Sequence, residues 1–588
     1  MDVKQRPDGV AVDEDKLEAA AGGIENAGNE PTAMDKLTLR QLVVKHPAVI
    51  WWAFYWGMTA VAWGFDAQIN GAVISIESFR RAFGYVQDGE AILPASWQSA
   101  FNTVTSVGGF FSAFFCSWLA DRIGRKWTLF VGLMLLTGGI LGEMFTLARG
   151  GFVAVKILLG CGLGFMLTLA PLTISELTPV ALRGVALSGV NLGIAIGQLL
   201  SSAVIRAFGS RSDSWGFQAP FAIQLFFIVF LLAFLPFSPE TPWHLVRKGR
   251  REDALRSLRR LYGPNVDVEA EAASIECTVV FERESSEHSA TWAQCFRGTD
   301  LLRTSISLGV FVCQHSAGII FVLGYSTYFF QLAGLPETES FNLGVGVTAC
   351  GVAGNIVSWF VVNSLGRRTV FLTGMFSLLV LLLLIGIMDV IPANGAQWVQ
   401  AAATVIYNFV YFATIGSMAY TILGETSSAA LRAKTSGLAA ATQSILGVAM
   451  NFANPYMVNP DEGNLQGKVG FVFGALCAVA CVWSFFYIPE LKGRSIDEID
   501  QLFHLKGTFV TSVANITEKF TERTERTSPT YHGKLDFFEV GAIQEIVMQN
   551  PDVIAEVEKL QLPEHLRVIP QAWCQFEGYL VFVKKTTL

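Results

Sequence analysis

The chain has 588 residues, 52% hydrophobic and only 15% charged, with a mean hydropathy of +0.44. A soluble domain carries about 25% charged residues, so this composition excludes an ordinary soluble enzyme and points to a polytopic α-helical membrane protein. The formal net charge of −7 leaves no basic face for nucleic acid.

Residues 1–47 are polar and acidic with scattered Gly and Ala. They read as a disordered cytoplasmic tail without a cleavable signal peptide. A hydrocarbon core of about 30 Å takes roughly 20 apolar residues per helix. Such runs fall near 48–69, 97–119, 128–148, 151–174, 184–205 and 218–237, and again near 304–330, 341–362, 369–391, 398–423, 435–457 and 469–488. The spacing predicts twelve transmembrane helices: a six-helix bundle over 48–237, a central loop over 238–302 and a second six-helix bundle over 303–488. Basic residues gather after the second span (Arg122, Arg125, Lys126), in the central loop (Arg247, Lys248, Arg250, Arg251) and after the eighth span (Arg367, Arg368). Positive loops stay inside, which places the central loop and both termini in the cytoplasm. Within the central loop, 251–262 carries Leu255, Leu258 and Tyr262 at helical spacing and predicts an amphipathic surface helix. Residues 489–588 form a cytoplasmic tail, and 528–588 read as an atypical unit, a fusion remnant.

The two halves repeat a signature. After span 2 comes Asp121-Arg122-Ile123-Gly124-Arg125, and after span 8 Asn363-Ser364-Leu365-Gly366-Arg367. After spans 4 and 10, Glu176 and Arg183, then Glu425 and Arg432, stand seven apart. Pro239-Glu240 follows span 6 and Pro489-Glu490 follows span 12. Gly124 and Gly366 suit tight turns. These carboxylates beside arginines at helix ends suit a cytoplasmic gate, with ion pairs that tie helices when the inner mouth is shut. Simple positive-inside anchoring is the competing reading.

With these motifs, the sequence over about 45–505 resembles the sugar porter family of the major facilitator superfamily. The stretches Pro220-Phe221-Ala222-Ile223-Gln224, Pro239-Glu240-Thr241-Pro242-Trp243 and Gly324-Tyr325-Ser326-Thr327-Tyr328-Phe329 are most similar to the fungal maltose and general α-glucoside permeases. The resemblance implies an all-α major facilitator fold and alternating access around a central sugar site. It also implies that Asp66, at the end of the first span, binds a proton, and that Lys156 stands where many members carry an arginine beside that aspartate. Independently of family, an ionisable side chain inside a span is costly enough to mark a functional site. Lys156 snorkelling to an interface is the bland alternative. Sugars are held by amides and aromatics. By motif alignment Asn191, Gln198, Gln314, His315 and Gln443 fall on family sugar-contact positions, while Tyr420 stands where many relatives have tryptophan and Ile320 where they have asparagine. These departures point away from a hexose. Interhelical hydrogen bonding is the alternative for any one amide. Glu143 in span 3 has no assigned role.

The expected function is proton-coupled import of an α-glucoside such as maltose by a monomeric plasma-membrane protein. Its partners would be the sugar, protons and the lipid bilayer, with no nucleic acid. A facilitator of hexose or polyol and a non-transporting sugar sensor are the competing readings. No catalytic triad, nucleotide loop or metal-ligand spacing stands out, and most of the nine cysteines lie in apolar runs, so no enzyme, cofactor or metal is expected.

Overall fold

A computed structural model describes residues 46–491 apart from short stretches at 88–89, 264–265, 288–291, 392–394 and 428–430, together with residues 41, 45 and 503 and two short strands near the C-terminus. The chain divides into two compact units, Met1–Ala514 and Asn515–Leu588.

The first unit is helical. Its first half runs α1 (Pro47–Ala72), α2 (Glu77–Phe83), a hairpin of β1 (Tyr85–Gln87) and β2 (Glu90–Ile92), α3 (Ala95–Ile123), α4 (Arg125–Phe145), α5 (Arg149–Leu177), α6 (Val180–Phe208) and α7 (Trp215–Phe234). The central loop holds α8 (Pro242–Arg247), α9 (Arg251–Tyr262) and α10 (Val268–Glu287). The second half runs α11 (Gly298–Ser316), α12 (Ile319–Leu332), α13 (Glu337–Ser364), α14 (Arg367–Val390), α15 (Ala396–Ala413), α16 (Ile415–Thr426), α17 (Arg432–Val458) and α18 (Val469–Tyr487). Among the described residues, ten segments are long and apolar enough to cross a membrane by length and composition. The helices α1 and α17, of 26 and 27 residues, stand outside those ten. Both carry amide and ionisable side chains along their length, among them Asp66, Gln68, Asn70, Gln443 and Asn451.

Two of the expected continuous spans are broken. The α11–α12 segment breaks at Gly318, whose φ of +82° is open to glycine at little cost. The α15–α16 segment breaks at Thr414. The breaks support each other. Tyr407 Oη donates to the Ala317 carbonyl at 2.5 Å, and Gln314 Nε2 donates to the Ile415 carbonyl at 3.3 Å. Each break is thus braced by a side chain from the other broken segment.

Small residues let the helices approach closely. A Cβ on Gly160 would meet the Thr105 carbonyl at 2.2 Å, and one on Gly162 would meet Leu136 N at 2.8 Å. The Gly160–Gly164 stretch therefore serves to pack α5 between α3 and α4.

One end of the bundle carries the turns at 124 and 366 and the central loop; we call it the basic end. At the opposite, far end the two halves are tied by hydrogen bonds. Gln68 Nε2 donates to the Leu323 carbonyl at 3.1 Å, Asn102 Nδ2 to Tyr325 Oη at 2.7 Å and Gln98 Nε2 to Asn459 Oδ1 at 2.8 Å. Ser99 Oγ donates to the Phe452 carbonyl at 2.8 Å.

In the central loop, α9 buries Leu258, Leu261 and Tyr262, and leaves Leu255 half-buried. His46 Nδ1 donates to the Tyr262 carbonyl at 2.9 Å, tying the start of α1 to this loop. In the second unit, β3 (Cys574–Phe576) pairs antiparallel with β4 (Tyr579–Val581). The rest of the atypical tail, like the N-terminal tail, lies outside the described residues.

Candidate functional site

Three groups of polar residues sit within the first unit. The first is built on α1, α4 and α5. Asp66, Glu143 and Lys156 are 1%, 0% and 2% exposed. Asn70 lies one turn beyond Asp66 on α1, so both project from one face. Its Nδ2 donates to Asp66 Oδ2 at 2.7 Å, and Lys156 Nζ donates to its Oδ1. Lys156 also forms an ion pair with Glu143. Phe152 and Phe221 place ring centroids 5.2 and 5.5 Å from Nζ, a favourable setting for a cation. Gln224 on α7 is buried beside Asp66. Asp66 and Lys156, singled out from the sequence, thus meet through Asn70 rather than directly. Sequence reading missed Asn70, whose signal was the four-residue spacing from Asp66, and noted Glu143 without a role, because its partner is revealed only by folding.

The second group lies on α11, α16 and α17. Tyr420 is 52% exposed despite lying in an apolar segment, so its ring does not fill a core. Its hydroxyl and the Gln443 side-chain amide lie 3.3 Å apart in hydrogen-bond contact. Its ring meets Phe311 edge-on at 5.3 Å between centroids. His315 Nδ1 donates to the Phe311 carbonyl at 2.9 Å, which leaves Nε2 as the acceptor of the neutral ring. Gln314 braces the α15–α16 break. Phe311 thus joins His315 and Tyr420, and Tyr420 joins Gln443, while Gln314 on the same helix turns to the Ile415 carbonyl. Asn191 and Gln198 are on α6 in the other half, half-buried and buried respectively. Ile320 opens α12 just past the break at Gly318.

The third group is at the basic end and is duplicated. In the first half Arg125, 1% exposed, donates from Nη2 to Glu176 Oε1 at 2.8 Å, from Nη1 to His244 Nδ1 at 2.7 Å and from Nη1 to the Ala120 carbonyl at 3.0 Å. Asp121 adds a weaker ion pair at 3.3 Å, and Arg247 reaches Glu176 at 3.3 Å. In the second half Arg367 pairs with Glu425 at 3.1 Å. Glu240 and Glu490 do something the sequence did not suggest: they cap helices. Glu240 accepts from the backbone N–H of Arg125 at 2.8 Å and of Lys126 at 3.3 Å. Glu490 accepts from those of Arg367 at 2.7 Å and Arg368 at 3.2 Å. A carboxylate at a helix N-terminus satisfies free N–H groups and the helix dipole. This explains the paired glycines. A Cβ at Gly124 would meet Glu240 Oε2 at 2.6 Å, and one at Gly366 would meet Glu490 Oε2 at 2.1 Å. Only Gly124, with φ +94°, also needs glycine for its backbone; Gly366 has an ordinary φ of −68°. Arg183 lies over the Trp243 ring at 6.0 Å, and Glu176 faces Arg125 instead. Arg432 begins α17; its side chain lies outside what is described.

Burial and the neighbouring Arg125 charge keep the His244 imidazole neutral, pulling it from its usual 6.5 down to about 4. The unfolded chain therefore binds more protons between those values, and stability falls as pH drops from 6.5 toward 4. In detergent, the melting temperature is expected to fall over this window. His244→Gln, which keeps an acceptor for Arg125, should flatten that slope; an unchanged slope would rule His244 out as its source.

Two repeated helical halves around buried polar groups, with most helices apolar along their length, make this a membrane carrier in form. Known proteins agree. The profile of the Sugar (and other) transporter family matches residues 52–503. The general alpha-glucoside permease of Saccharomyces cerevisiae is 30% identical over 81% of this chain and 79% of its own. The MFS transporter fmqE of Aspergillus fumigatus is 30% identical over 84% of this chain and 96% of its own. Among solved structures, the inward-open xylose transporter XylE from E. coli is similar with a TM-score of 0.65 at 19% identity, covering 77% of this chain and 99% of that one. The chain belongs to the Sugar (and other) transporter family. It is a multi-pass sugar transporter of the major facilitator superfamily and not an enzyme.

Proposed function

We propose that this protein imports an α-glucoside such as maltose together with a proton, by alternating access. In this reading α1 and α17 also cross the bilayer, which makes twelve spans, and the basic end and both termini face the cytoplasm of a monomer in the plasma membrane. The observation that carries the reading is the buried chain Asp66–Asn70–Lys156. An ionisable pair this deep in a helix bundle is maintained at a cost, and charge that is loaded and unloaded repays it. Asp66 is the proton site, and Lys156 is the cation that senses whether Asp66 is charged. Asn191, Gln198, Gln314, His315, Tyr420 and Gln443 line the sugar path, with the Tyr420 ring as the face on which a pyranose stacks. The far-end ties between the halves support a carrier closed on that side, with Arg125–Glu176 and Arg367–Glu425 holding each half rigid at the other. The α-glucoside assignment is supported by the names of the yeast relatives and by Ile320 and Tyr420.

Cells lacking their own permeases and expressing this chain should alkalinise their medium when maltose is added, and Asp66→Asn should abolish this. Labelled maltose that equilibrates without proton movement would make the protein a facilitator. Well-expressed surface protein that moves neither maltose nor protons would remove the α-glucoside assignment.

A further inference from the structure

The first polar group holds one more acid than proton coupling through Asp66 uses. Glu143 on α4 is 0% exposed and ion-pairs with Lys156 directly. Asp66 reaches Lys156 only by way of the Asn70 amide. The groups facing Glu143 can be counted. From α5 comes Lys156, in direct contact, and from α1 Asp66, near enough to act as a like charge when both acids are ionised; the neutral Gln224 of α7 lies beside Asp66. Phe152 and Phe221 line the site around Lys156. Two carboxyls thus share one ammonium. Ionised together they leave a net charge of about −1 buried without a counter-ion, which is disfavoured; with one proton the site is neutral. An ammonium in contact with a carboxylate favours its ionised form, and Lys156 touches Glu143 while meeting Asp66 through Asn70.

We propose that Glu143 is the resident counter-ion of Lys156, and that Asp66, Glu143 and Lys156 form one unit holding a single exchangeable proton. The inference rests on the reading of Asp66 as the proton site. Glu143 neutralises Lys156, so Asp66 can take a proton without first breaking an ion pair. When Asp66 releases that proton, the site goes from neutral to one net negative charge, and the ammonium is drawn toward the new carboxylate. Lysine suits this better than arginine, because a point charge on a flexible stem can move between two acids. Asn70, accepting from Lys156 and donating to Asp66, spans the path of that movement. Glu143 acts through Lys156 and is a positioning residue.

Infrared pH-difference spectroscopy on the purified full-length protein tests this without any sugar, by reading the carbonyl stretch of a buried protonated carboxyl at neutral pH. Wild type should show the band and Asp66→Asn should lose it. Glu143→Gln should lose it too, because Lys156 then pairs with Asp66 and holds it ionised, and Glu143→Asp should restore it. Lys156→Met, where both acids need protons, should raise it about twofold. A folded Glu143→Gln protein with the full wild-type band, or a Lys156→Met protein with no increase, overturns the inference. In cells, Glu143→Gln should shift half-maximal maltose-driven proton uptake to acid by about one pH unit, a tenfold change in proton concentration. A wild-type profile in that variant, with Asp66→Asn inactive, overturns the inference alone. Maltose flux without protons in the wild type overturns the coupling reading instead, and the infrared result then decides the three-residue unit separately.

Discussion

Replacing Arg125 with alanine is expected to destabilise the protein by about 3–5 kcal/mol, whereas Arg367→Ala should cost about 1 kcal/mol. The two arginines occupy equivalent places in the repeat, and burial separates them. Arg125 is 1% exposed and its partner Glu176 7%; Arg367 and Glu425 are 16% and 29% exposed. Without Arg125, Glu176 is left in a dry site with Arg247, itself 37% exposed, as its remaining ion-pair partner among the described residues, and His244 Nδ1 loses its donor. Without Arg367, water can reach Glu425. Thermal denaturation in detergent reads the difference: the drop in melting temperature should be several times larger for Arg125→Ala. Removing both partners with Arg125→Met and Glu176→Leu should recover most of the loss, because the main penalty is the abandoned carboxylate. Equal drops for the two single variants would show that burial does not set the energy here.

The repeat was legible because it is written in residue types at fixed offsets. Glycine-arginine after spans 2 and 8, and glutamate after spans 4, 6, 10 and 12, need no structure to be seen. Their partners were harder to read. Opposite charge suggested that Glu240 and Glu490 face arginine side chains, but they bind the backbone N–H groups of those arginines, a partner that every residue offers and no sequence marks. The breaks at Gly318 and Thr414 were invisible to hydropathy, since the runs stay apolar across them. Only Gly318 hinted at one, and glycine is common in membrane helices for other reasons. Glu143 looked like an isolated acid because its partner Lys156 lies thirteen positions on, across a turn between α4 and α5. Asp66 and Lys156 were legible as buried ions, but the amide that joins them became meaningful only once α1 and α5 were side by side.

Gly71→Val should impair transport by a different route, acting on the equilibrium between conformations rather than on any polar group. Gly71 on α1 faces Gly324 on α12 across the far-end contact between halves. A Cβ there would lie 2.2 Å from the Gly324 carbonyl oxygen and 2.6 Å from its C and Cα atoms. All three are backbone, so no change of rotamer relieves the clash, and one turn away Gln68 holds the same strand of contact to Leu323. Overpacking of this kind costs about 1–3 kcal/mol, and the cost falls only on the conformation in which the far end is shut. The population of that conformation should drop roughly tenfold, and uptake, which must pass through it, should drop with it. Gly57→Ala is the control on the same helix, since nothing lies within 4 Å of its Cβ position. Spin labels at Arg81 and Glu462, exposed far-end positions on opposite halves, should report a longer distance in Gly71→Val than in wild type or Gly57→Ala. If uptake collapses while that distance stays at the wild-type value, the glycine pair does not govern closure, and the loss has to come from damage to α1 itself.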